Sequence, residues 1–381
     1  MLYLVNTNIE FMINRLIKSK IEAKMGKGKA IIIVGPRQVG KTTLIENILE
    51  NKQYLFLDGD DPTVRNLMDN PNTEQLKNII GINEIVFIDE AQRIENIGIT
   101  LKIITDKFKN VQLLVSGSSA FELKNKTNEP LTGRKWEFQL FPISWKELEE
   151  SIGYIKAEQQ LEMRLLYGMY PDVINNETDA FAVLKELANS YLYKDILAFN
   201  NIKKPEILEK LLQALALQIG SEVSLNELSQ LLGIDKNTVN TYIDILESAF
   251  VIFKLKSFSR NLRNEIKFNQ KIYFYDNGIR NMVIGNFNAL DLRQDKGVLW
   301  ENFLISERIK RNNYENKLTK SYFWRTTQQQ EIDYIEDVDG TIFSYEIKWS
   351  EKGKVKIPKI FKETYLTETT ILTNKNFRTF L

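Results

Sequence analysis

The chain contains no cysteine and no histidine among its 381 residues. Their absence excludes disulfides, metal sites built on thiolates or imidazoles, cysteine nucleophiles and every Ser-His-Asp triad. Any metal must be held by carboxylates, hydroxyls, carbonyls and water, and this donor set favours Mg²⁺ over Zn²⁺. Long apolar runs are also missing, because no stretch approaches the ~18 residues of a membrane span. Residues 1–24 show no leader-like apolar region. We therefore expect a cytoplasmic protein with no membrane partner.

An excess of charge of one sign is absent as well. The chain has 51 Lys and Arg against 50 Asp and Glu, which leaves a net charge of +1. This balance argues against a globally basic coat for nucleic acid, so any basic surface must be local. At roughly 100 to 200 residues per domain, the length predicts two or three domains.

The first part of the chain alternates short apolar runs with helical patterns. Such runs are typical of strands buried on both faces of a parallel sheet, whose ligands bind at the carboxyl ends of the strands. The predicted strands are residues 30–34, 54–58, 84–88 and 111–115. From about Phe141 the pattern becomes helical, through 157–168 and 180–218.

Two further units follow. Residues 224–256 predict a helix over Leu225 to Leu232, a turn at Gly233, a cap at Asp235, a second helix and a strand, which together form a winged-helix-like unit. A helix and three strands after Gly297 predict a third, α/β region. We assign a P-loop ATPase domain to 1–145, a helical region to 146–220, a winged-helix-like region to 221–290 and the last domain to 291–381.

A phosphate-binding loop is the strongest motif. It follows the strand 30–34, opens a helix and matches GxxxxGK[ST]. Glycines let backbone N–H groups approach the phosphates, Lys41 reaches the β and γ oxygens, and Thr42 is a ligand for Mg²⁺. The predicted ATP-binding residues are Gly35, Pro36, Arg37, Gln38, Val39, Gly40, Lys41, Thr42 and Thr43. The alternative is a glycine-rich turn before an ordinary helix.

Carboxylates and hydroxyls follow the next strands. Asp89 is placed to hold Mg²⁺, and Glu90 is placed to orient the attacking water, unless the pair only caps a helix. The run Ser116 to Ser119 offers hydroxyls that sense the γ-phosphate, with Ser118 as the candidate, or else forms a serine-rich turn.

Two arginines are candidates for stabilising charge in the transition state. Arg134 follows a glycine in LTGR, and Arg37 lies inside the loop. Either acts in cis or from a neighbouring subunit. The alternative is a solvated surface arginine.

These motifs resemble a prokaryotic AAA-type ATPase family in their order along nearly the whole chain. They are GPRQVGKTTL, FIDEAQRI, LLVSGSSAFEL, LTGR, LFPISWKEL, YLYKDI, FYDNGIR, EIDYI and YEIKWS. The resemblance implies a helical and winged-helix region after the ATPase and a restriction-endonuclease-like domain at the end. It also implies that Asp89 and Glu90 are the Walker B pair and that Ser118 is the sensor.

The helix-turn-helix carries a weak signal for DNA. Lys236, Asn237, Asn240 and Thr241 face away from the apolar side of the second helix and could meet bases or phosphates. Acidic residues share this segment, and the basic residues lie mostly on the wing side. A packing module that relays the nucleotide state is the alternative.

Carboxylates recur near the end of the chain. The turn Asp339-Gly340 sets a hairpin register that places Asp333 opposite Glu346. Their side chains share a face with Lys348, and the opposite face, with Ile332, Tyr334, Phe343, Tyr345 and Ile347, is predicted to be the buried one. Two facing carboxylates repel unless a cation such as Mg²⁺ lies between them.

Asp333, Glu346 and Lys348 also resemble the D…(D/E)xK signature of restriction-endonuclease-like nucleases, and Glu301 matches an additional helix-borne acid. Three readings stay open: a nuclease site, a degenerate DNA-binding domain and a structural domain. A row of lysines downstream predicts a track for the phosphate backbone of DNA. Its members are Lys352, Lys354, Lys356, Lys359 and Lys362.

The sequence thus predicts an ATPase that uses ATP and Mg²⁺ and couples its nucleotide state to a nuclease-like region acting on DNA. One alternative is an ATP-dependent switch that binds a protein partner or a second copy of itself, with an inactive nuclease-like domain. The other is a stand-alone nuclease with a structural ATP.

Overall fold

Two β-sheets organise the chain in the computed structural model, which describes residues 12–118, 127, 129–190, 204–258, 270–351 and 355–381. The strands β1 to β12 are Ala30–Val34, Leu55–Asp58, Ile85–Asp89, Gln112–Gly117, Lys135–Gln139, Glu222–Val223, Ile252–Ser257, Gln270–Phe274, Thr319–Arg325, Glu331–Val338, Thr341–Ile347 and Thr369–Leu372.

Helices cover both sheets. The α-helices α1 to α15 are Lys18–Glu22, Lys41–Ile48, Pro62–Met68, Thr73–Ile80, Ile97–Lys107, Trp145–Ile152, Tyr154–Tyr167, Pro171–Asn175, Ala180–Ala188, Pro205–Leu217, Leu225–Leu232, Lys236–Ser248, Asn277–Ile284, Lys296–Glu315 and Lys359–Tyr365. Short 3-10 turns lie at Ala91–Arg93, Glu177–Asp179, Leu290–Leu292 and Phe377–Thr379.

The first sheet is parallel and has the order β2-β3-β4-β1-β5. Its interior strand β1 is buried along its whole length, with Ile31 and Ile33 in one apolar cluster and Ile32 in another on the opposite face. Burial on both faces explains the continuous apolar runs in the sequence. The predicted strands therefore agree with the structure to within two residues, and the order aligns the carboxyl ends of β1, β3 and β4.

The second sheet has the order β12-β11-β10-β9-β7-β8-β6. Strand β7, which follows the helix-turn-helix, pairs in parallel with β9 through Lys256 with Tyr322 and Ser257 with Phe323. This one sheet therefore contains strands from both sides of residue 290, where a domain boundary is predicted. The winged-helix-like strands and the last strands share backbone hydrogen bonds, so they are parts of one layer.

The helix-turn-helix has the predicted bounds at α11 and at the start of α12. Gly233 ends α11 in the left-handed conformation with φ of 66°, and the Asp235 side chain accepts the N–H groups that open α12. Lys236 and Asn237 are exposed, whereas Lys254 on the wing side pairs with Asp244 and, at 2.9 Å, with Glu247. These pairs reduce the positive charge available to DNA on this side.

A central junction connects the helical region to the second sheet. In FYDNGIR the Asp276 carboxylate accepts the N–H of Met169 at 2.7 Å, and Asn277 donates to the carbonyl of Leu299 at 3.1 Å. A Cβ on Gly278 would lie 2.1 Å from the carbonyl oxygen of Tyr167, so only glycine fits this helix contact. The motif YLYKDI, at residues 191–196, lies outside the described residues.

Among the described residues, none of the helices could span a membrane, because none combines the necessary length with a sufficiently apolar sequence.

Candidate functional site

The phosphate loop connects β1 to α2 at the carboxyl edge of the first sheet. Gln38 and Gly40 have positive φ of 59° and 86°, which shapes the turn before the helix. A Cβ on Gly35 would lie 2.0 Å from the carbonyl oxygen of Leu140, so glycine is required where the loop passes the end of β5. The N–H groups at the start of α2 have no partner within the helix, so the site suits an anion.

Lys41 lies inside the loop and is only 5% exposed. Its Nζ donates to the carbonyls of Gly35 at 2.9 Å and Pro36 at 2.7 Å. Burial lowers the pKa of Lys41 to about 8, although the nearby Glu90 and Asp89 oppose this shift. An ammonium held on neutral carbonyls is poised to move to phosphate oxygens, which are stronger partners.

Thr42 and Asp89 meet across the edge of the sheet. The Thr42 Oγ1 donates to Asp89 Oδ2 at 2.7 Å, and the buried Ser116 hydroxyl donates to Asp89 Oδ1. A hydroxyl and a carboxylate on adjacent strand ends are the oxygen donors that Mg²⁺ prefers. These two residues, predicted as metal ligands, are therefore brought together and fit that ion.

Glu90 has a left-handed backbone, with φ of 46° and ψ of 40°. This conformation is uncommon for a residue other than glycine and is typical of functional sites. Its Oε2 accepts hydrogen bonds from Gln92 Nε2 and, at 3.2 Å, from Ser118 Oγ. Gln92 also donates to Ser118 at 2.9 Å. Ser118 thus contacts the carboxylate, while Ser119 lies outside the described residues.

Gln92 was missed by the sequence analysis. It lies on the short turn Ala91–Arg93, two residues after Glu90, and is buried. A polar residue on the first turn after a strand that ends in Asp-Glu was the available signal. Periodicity could not reveal it, because the turn has neither strand nor α-helical spacing.

Arg134 lies near the amino ends of the strands, opposite the ends that carry the phosphate loop. It precedes β5, and its carbonyl accepts the N–H of Ala30, the first residue of β1. The length of β1 separates it from the loop by about 15 Å, beyond the reach of an arginine side chain. Its Nε donates to Asp106 at 2.7 Å, and this bond lowers the pKa of Asp106. Of the two possibilities that the sequence left open, this position does not support a role in cis, and a role in trans stays a prediction.

A cavity of about 340 Å³ adjoins the loop. It lies between the segment before α1, the first turns of α2 and the short helix α8. Its lining includes Arg15, Gln38, Thr43, Asn47, Ile143 and Pro171. A mixed apolar and amide lining next to a phosphate site suits a flat heteroaromatic ring.

The second cluster lies where β10 and β11 diverge. Val338 pairs with Thr341 as predicted, and the ladder continues to Tyr334 and Tyr345. Beyond it the Asp333 Oδ2 accepts the N–H of Ile347 at 2.7 Å. Lys348 Nζ lies 2.7 Å from Glu346 Oε1 and 3.5 Å from Asp333 Oδ2. Lys348 thus bridges the two facing carboxylates.

A buried lysine completes this cluster. Lys271 is 1% exposed and pairs with Glu331 and, at 3.5 Å, with Glu301. The hydroxyl of Tyr273 donates to Glu301 Oε1 at 2.6 Å. Burial raises the pKa of Glu301 to about 7, with Lys271 opposing and Asp333 reinforcing the shift. Lys271 could not be assigned to this cluster from the sequence, because it lies 60 residues before Glu331.

The predicted buried face was wrong in part. Phe343 is 45% exposed, whereas Asp333, on the face taken as open, is 7% exposed. A register shift in β10 between Ile332 and Ile335 breaks the alternation, so Ile332 and Tyr334 enter different clusters. The bulge accounts for the separation of Ile332 from Tyr334, because it places successive side chains on the same face.

The fit of a metal to this cluster is incomplete. Burial and the neighbouring Asp333 raise the pKa of Glu346, and its buried Oε2 has no hydrogen-bond partner among the described residues. No group of three or more acidic side chains in the described ranges is arranged to hold a metal ion. Lys356, Lys359 and Lys362 of the predicted track are exposed, while Lys352 and Lys354 lie outside the described residues.

The fold and the loop define a P-loop ATPase domain of the AAA type. The family model described as AAA domain matches residues 27–149, which include the whole phosphate site. Models described as domains of unknown function match residues 158–290 (DUF8612) and 296–379 (DUF4143). Nucleotide use follows from the fold of the first domain.

Relatives extend the similarity beyond this domain. An uncharacterized protein of Mycobacterium tuberculosis is 24% identical over 334 residues, which cover 87% of this chain and 72% of the relative. An uncharacterized protein of Methanocaldococcus jannaschii is 24% identical over 347 residues, covering 84% and 75%. A solved structure, the Walker-type ATPase of Pyrococcus abyssi, has a TM-score of 0.50 at 16% identity and covers 71% of this chain and 96% of that one. That likeness concerns the fold alone.

Proposed function

We propose that the chain hydrolyses ATP to ADP and phosphate with Mg²⁺ at the loop Gly35–Thr43. The observation that carries the proposal is the 2.7 Å hydrogen bond from Thr42 to Asp89, because it joins the two predicted metal ligands. When bound, Mg²⁺ neutralises charge on the β- and γ-phosphates. Lys41 and the N–H groups of the loop bind the same phosphates from the protein side.

Glu90 is the proposed group that orients the attacking water. Its carboxylate lies one residue after Asp89, and Gln92 and Ser118 restrict its rotation. A carboxylate held in one orientation lowers the entropic cost of aligning water with the γ-phosphate. Ser118 therefore acts through Glu90 in this proposal rather than by touching the phosphate.

The cavity beside the loop is the proposed nucleobase site. It opens next to Gln38 and Thr43 of the loop, so the proposal places the base there when the phosphates are bound. Pro171 and Ile143 supply apolar contacts for a ring, and Asn47 supplies an amide for hydrogen bonding.

Arg134 is proposed to act in trans, within a homo-oligomer. Its side chain is 39% exposed at the edge opposite the loop, where a neighbouring copy can approach. A mixture of Arg134→Ala with Glu90→Gln protein tests this, because mixed interfaces would pair an intact loop with an intact arginine. Activity restored on mixing two inactive variants is expected, and its absence contradicts the role in trans.

The central test compares Glu90→Gln with Glu95→Gln, an exposed carboxylate five residues further on. Glu90→Gln should reduce hydrolysis by about 100-fold or more and leave ATP binding unchanged. Glu95→Gln should behave as wild type. Equal turnover in wild type and Glu90→Gln would refute the assignment.

Phosphodiester cleavage in DNA is a second candidate, at Glu301, Asp333, Glu346 and Lys348. The buried, unpartnered Oε2 of Glu346 supports it, because a desolvated carboxylate oxygen without a donor is costly unless a cation binds. When bound, a divalent cation would supply Lewis acidity there. Lys348 would stabilise negative charge on the phosphate.

The alternative is an ATP-dependent switch that binds a protein partner with an inactive nuclease-like region. Lys271 supports this alternative, because its ammonium already compensates Glu301 and Glu331. DNA binding and cutting with Mg²⁺, with and without ATP, discriminates the two. Cutting that Glu346→Ala with Lys348→Ala abolishes supports the nuclease, and no cutting under any condition supports the switch.

A further inference from the structure

One face of helix α14 forms hydrogen bonds with residues 141–145, the segment that follows β5. Three of its side chains, spaced by three and four residues, each bond one backbone group of that segment. The bonds join Trp145 N to Glu307 Oε2 at 2.6 Å, Lys310 Nζ to the Ile143 carbonyl at 3.2 Å and Phe141 N to the Tyr314 hydroxyl at 3.2 Å. Buried polar groups lose these bonds only at a cost, so the two elements are held in register.

Arg15 connects the contact between α14 and the exit of β5 to the phosphate loop. It is 9% exposed, and its guanidinium donates to four groups, one each on the phosphate loop, the exit of β5, α6 and α14. The acceptors are the Val39 carbonyl at 2.7 Å, the Phe141 carbonyl at 2.5 Å, the Tyr314 hydroxyl at 3.2 Å and Glu147 Oε1 at 3.2 Å. One rigid fork thus joins the loop, the exit of β5 and the far end of α14.

The bond to Val39 determines the orientation of a loop peptide. Val39 lies between Gln38 and Gly40, both at positive φ, and Gly40 tolerates several orientations of the peptide that joins it to Val39 because it has no Cβ. In a planar trans peptide the C=O and the following N–H point in opposite directions. With its carbonyl held by Arg15, Val39 therefore turns the N–H of Gly40 away from the arginine. That N–H is one of the loop donors for phosphate.

We propose that Arg15 is a positioning residue that presets the phosphate loop and, through Tyr314, transmits its state to α14. The inference rests on the proposed ATP site. It identifies a physical route from the nucleotide to the second cluster that bypasses the helix-turn-helix.

The route ends at the carboxylates because α14 carries them or binds their strand. Glu301 lies 13 residues before Tyr314 on the same helix, about 20 Å along its axis. Arg308 on this helix donates to both carboxylate oxygens of Glu336 in β10, three residues after Asp333. A shift of α14 therefore acts on the cluster both through Glu301 itself and through the strand that carries Asp333.

The first experiment measures positioning without nucleotide. Hydrogen exchange of the amides at the start of α2 should be faster in Arg15→Lys than in wild type, because lysine cannot hold Val39 and Tyr314 together. Arg311→Lys is the control and should not change this exchange, because Arg311 lies on α14 but is bonded to Phe380 and Leu381. Equal exchange in all three proteins overturns the proposal, whether or not the chain binds ATP.

The second experiment measures transmission. Arg15→Lys should weaken ATP binding about 10-fold or more, whereas Tyr314→Phe, which keeps the Arg15 bond to Val39, should stay within about twofold of wild type. In wild type ATP should change hydrogen exchange in α14, and Tyr314→Phe should reduce that change, because the bonds of Glu307 and Lys310 to the exit of β5 remain. An ATP-dependent change of undiminished size in Tyr314→Phe overturns the link. Wild type that binds no ATP instead refutes the proposed function and leaves the first experiment to decide on Arg15.

Discussion

Replacing Gln92 by methionine should reduce ATP hydrolysis without weakening ATP binding. The side chain donates to Glu90 Oε2 and to Ser118 Oγ, the latter at 2.9 Å. A hydrogen bond to a charged group is worth about 1.5 to 3 kcal/mol. If that free energy orients Glu90, its loss should lower kcat by about 10- to 100-fold. Methionine preserves the length of the side chain and removes the amide donor.

Steady-state hydrolysis with separate measurement of nucleotide affinity tests this value. The kcat of Gln92→Met should fall between those of wild type and Glu90→Gln. In the double variant Gln92→Met with Glu90→Gln, the first substitution should have no further effect, because no carboxylate remains to orient. Gln75→Met, at the cap of α4, is the control; it removes a capping bond and should leave kcat unchanged. Full kcat in Gln92→Met, or an equal loss in the Glu90→Gln background, would refute the reasoning.

Three other predictions concern stability and pH. Gly35→Ala should lower the free energy of unfolding by about 3 kcal/mol, because the added Cβ clashes with Leu140. Gly26→Ala should lower it by about 1 kcal/mol, because it strains only a positive φ. Equal losses in urea denaturation would contradict this difference. Because Lys41 has a pKa of about 8, ATP affinity should fall about tenfold per pH unit above that value, and calorimetry that shows a flat profile would exclude it. Because the pKa of Glu301 is raised from 4.5 to about 7, the folded state holds an extra proton between these values, so stability should fall as the pH rises through them. Glu301→Gln should remove this slope in thermal unfolding.

The geometry of the proposed ATP site was largely predictable because its residues are local in sequence. Gly35 to Thr42 are consecutive, and Asp89 and Glu90 end a strand whose apolar run marks it as central. Parallel strands place their carboxyl ends together, so adjacency in space followed from the fold class. The contacts of Ser116 and Gln92 were not predictable in detail, since they depend on how a short turn directs side chains.

The carboxylate cluster was only partly predictable. The two-residue turn fixed the pairing of β10 with β11 from Val338–Thr341 to Tyr334–Tyr345, because the pairs of a ladder follow one another regularly. The bulge in β10 before Ile335 shifts its pairing with β9 rather than with β11, and no residue type in the segment indicates it. Lys271 entered the cluster from a strand outside the predicted domain.

The sequence by itself determined the phosphate loop, the positions along the chain of the strands around it and the absence of thiolate and imidazole chemistry. These properties depend on residue type and short spacing. Only the tertiary structure decided that Arg134 lies at the far edge from the loop, that Lys271 neutralises Glu301 and that Arg15 joins the loop to α14. Each of these depends on which distant segments pack together, and burial then sets the strength of the resulting charge and hydrogen-bond interactions.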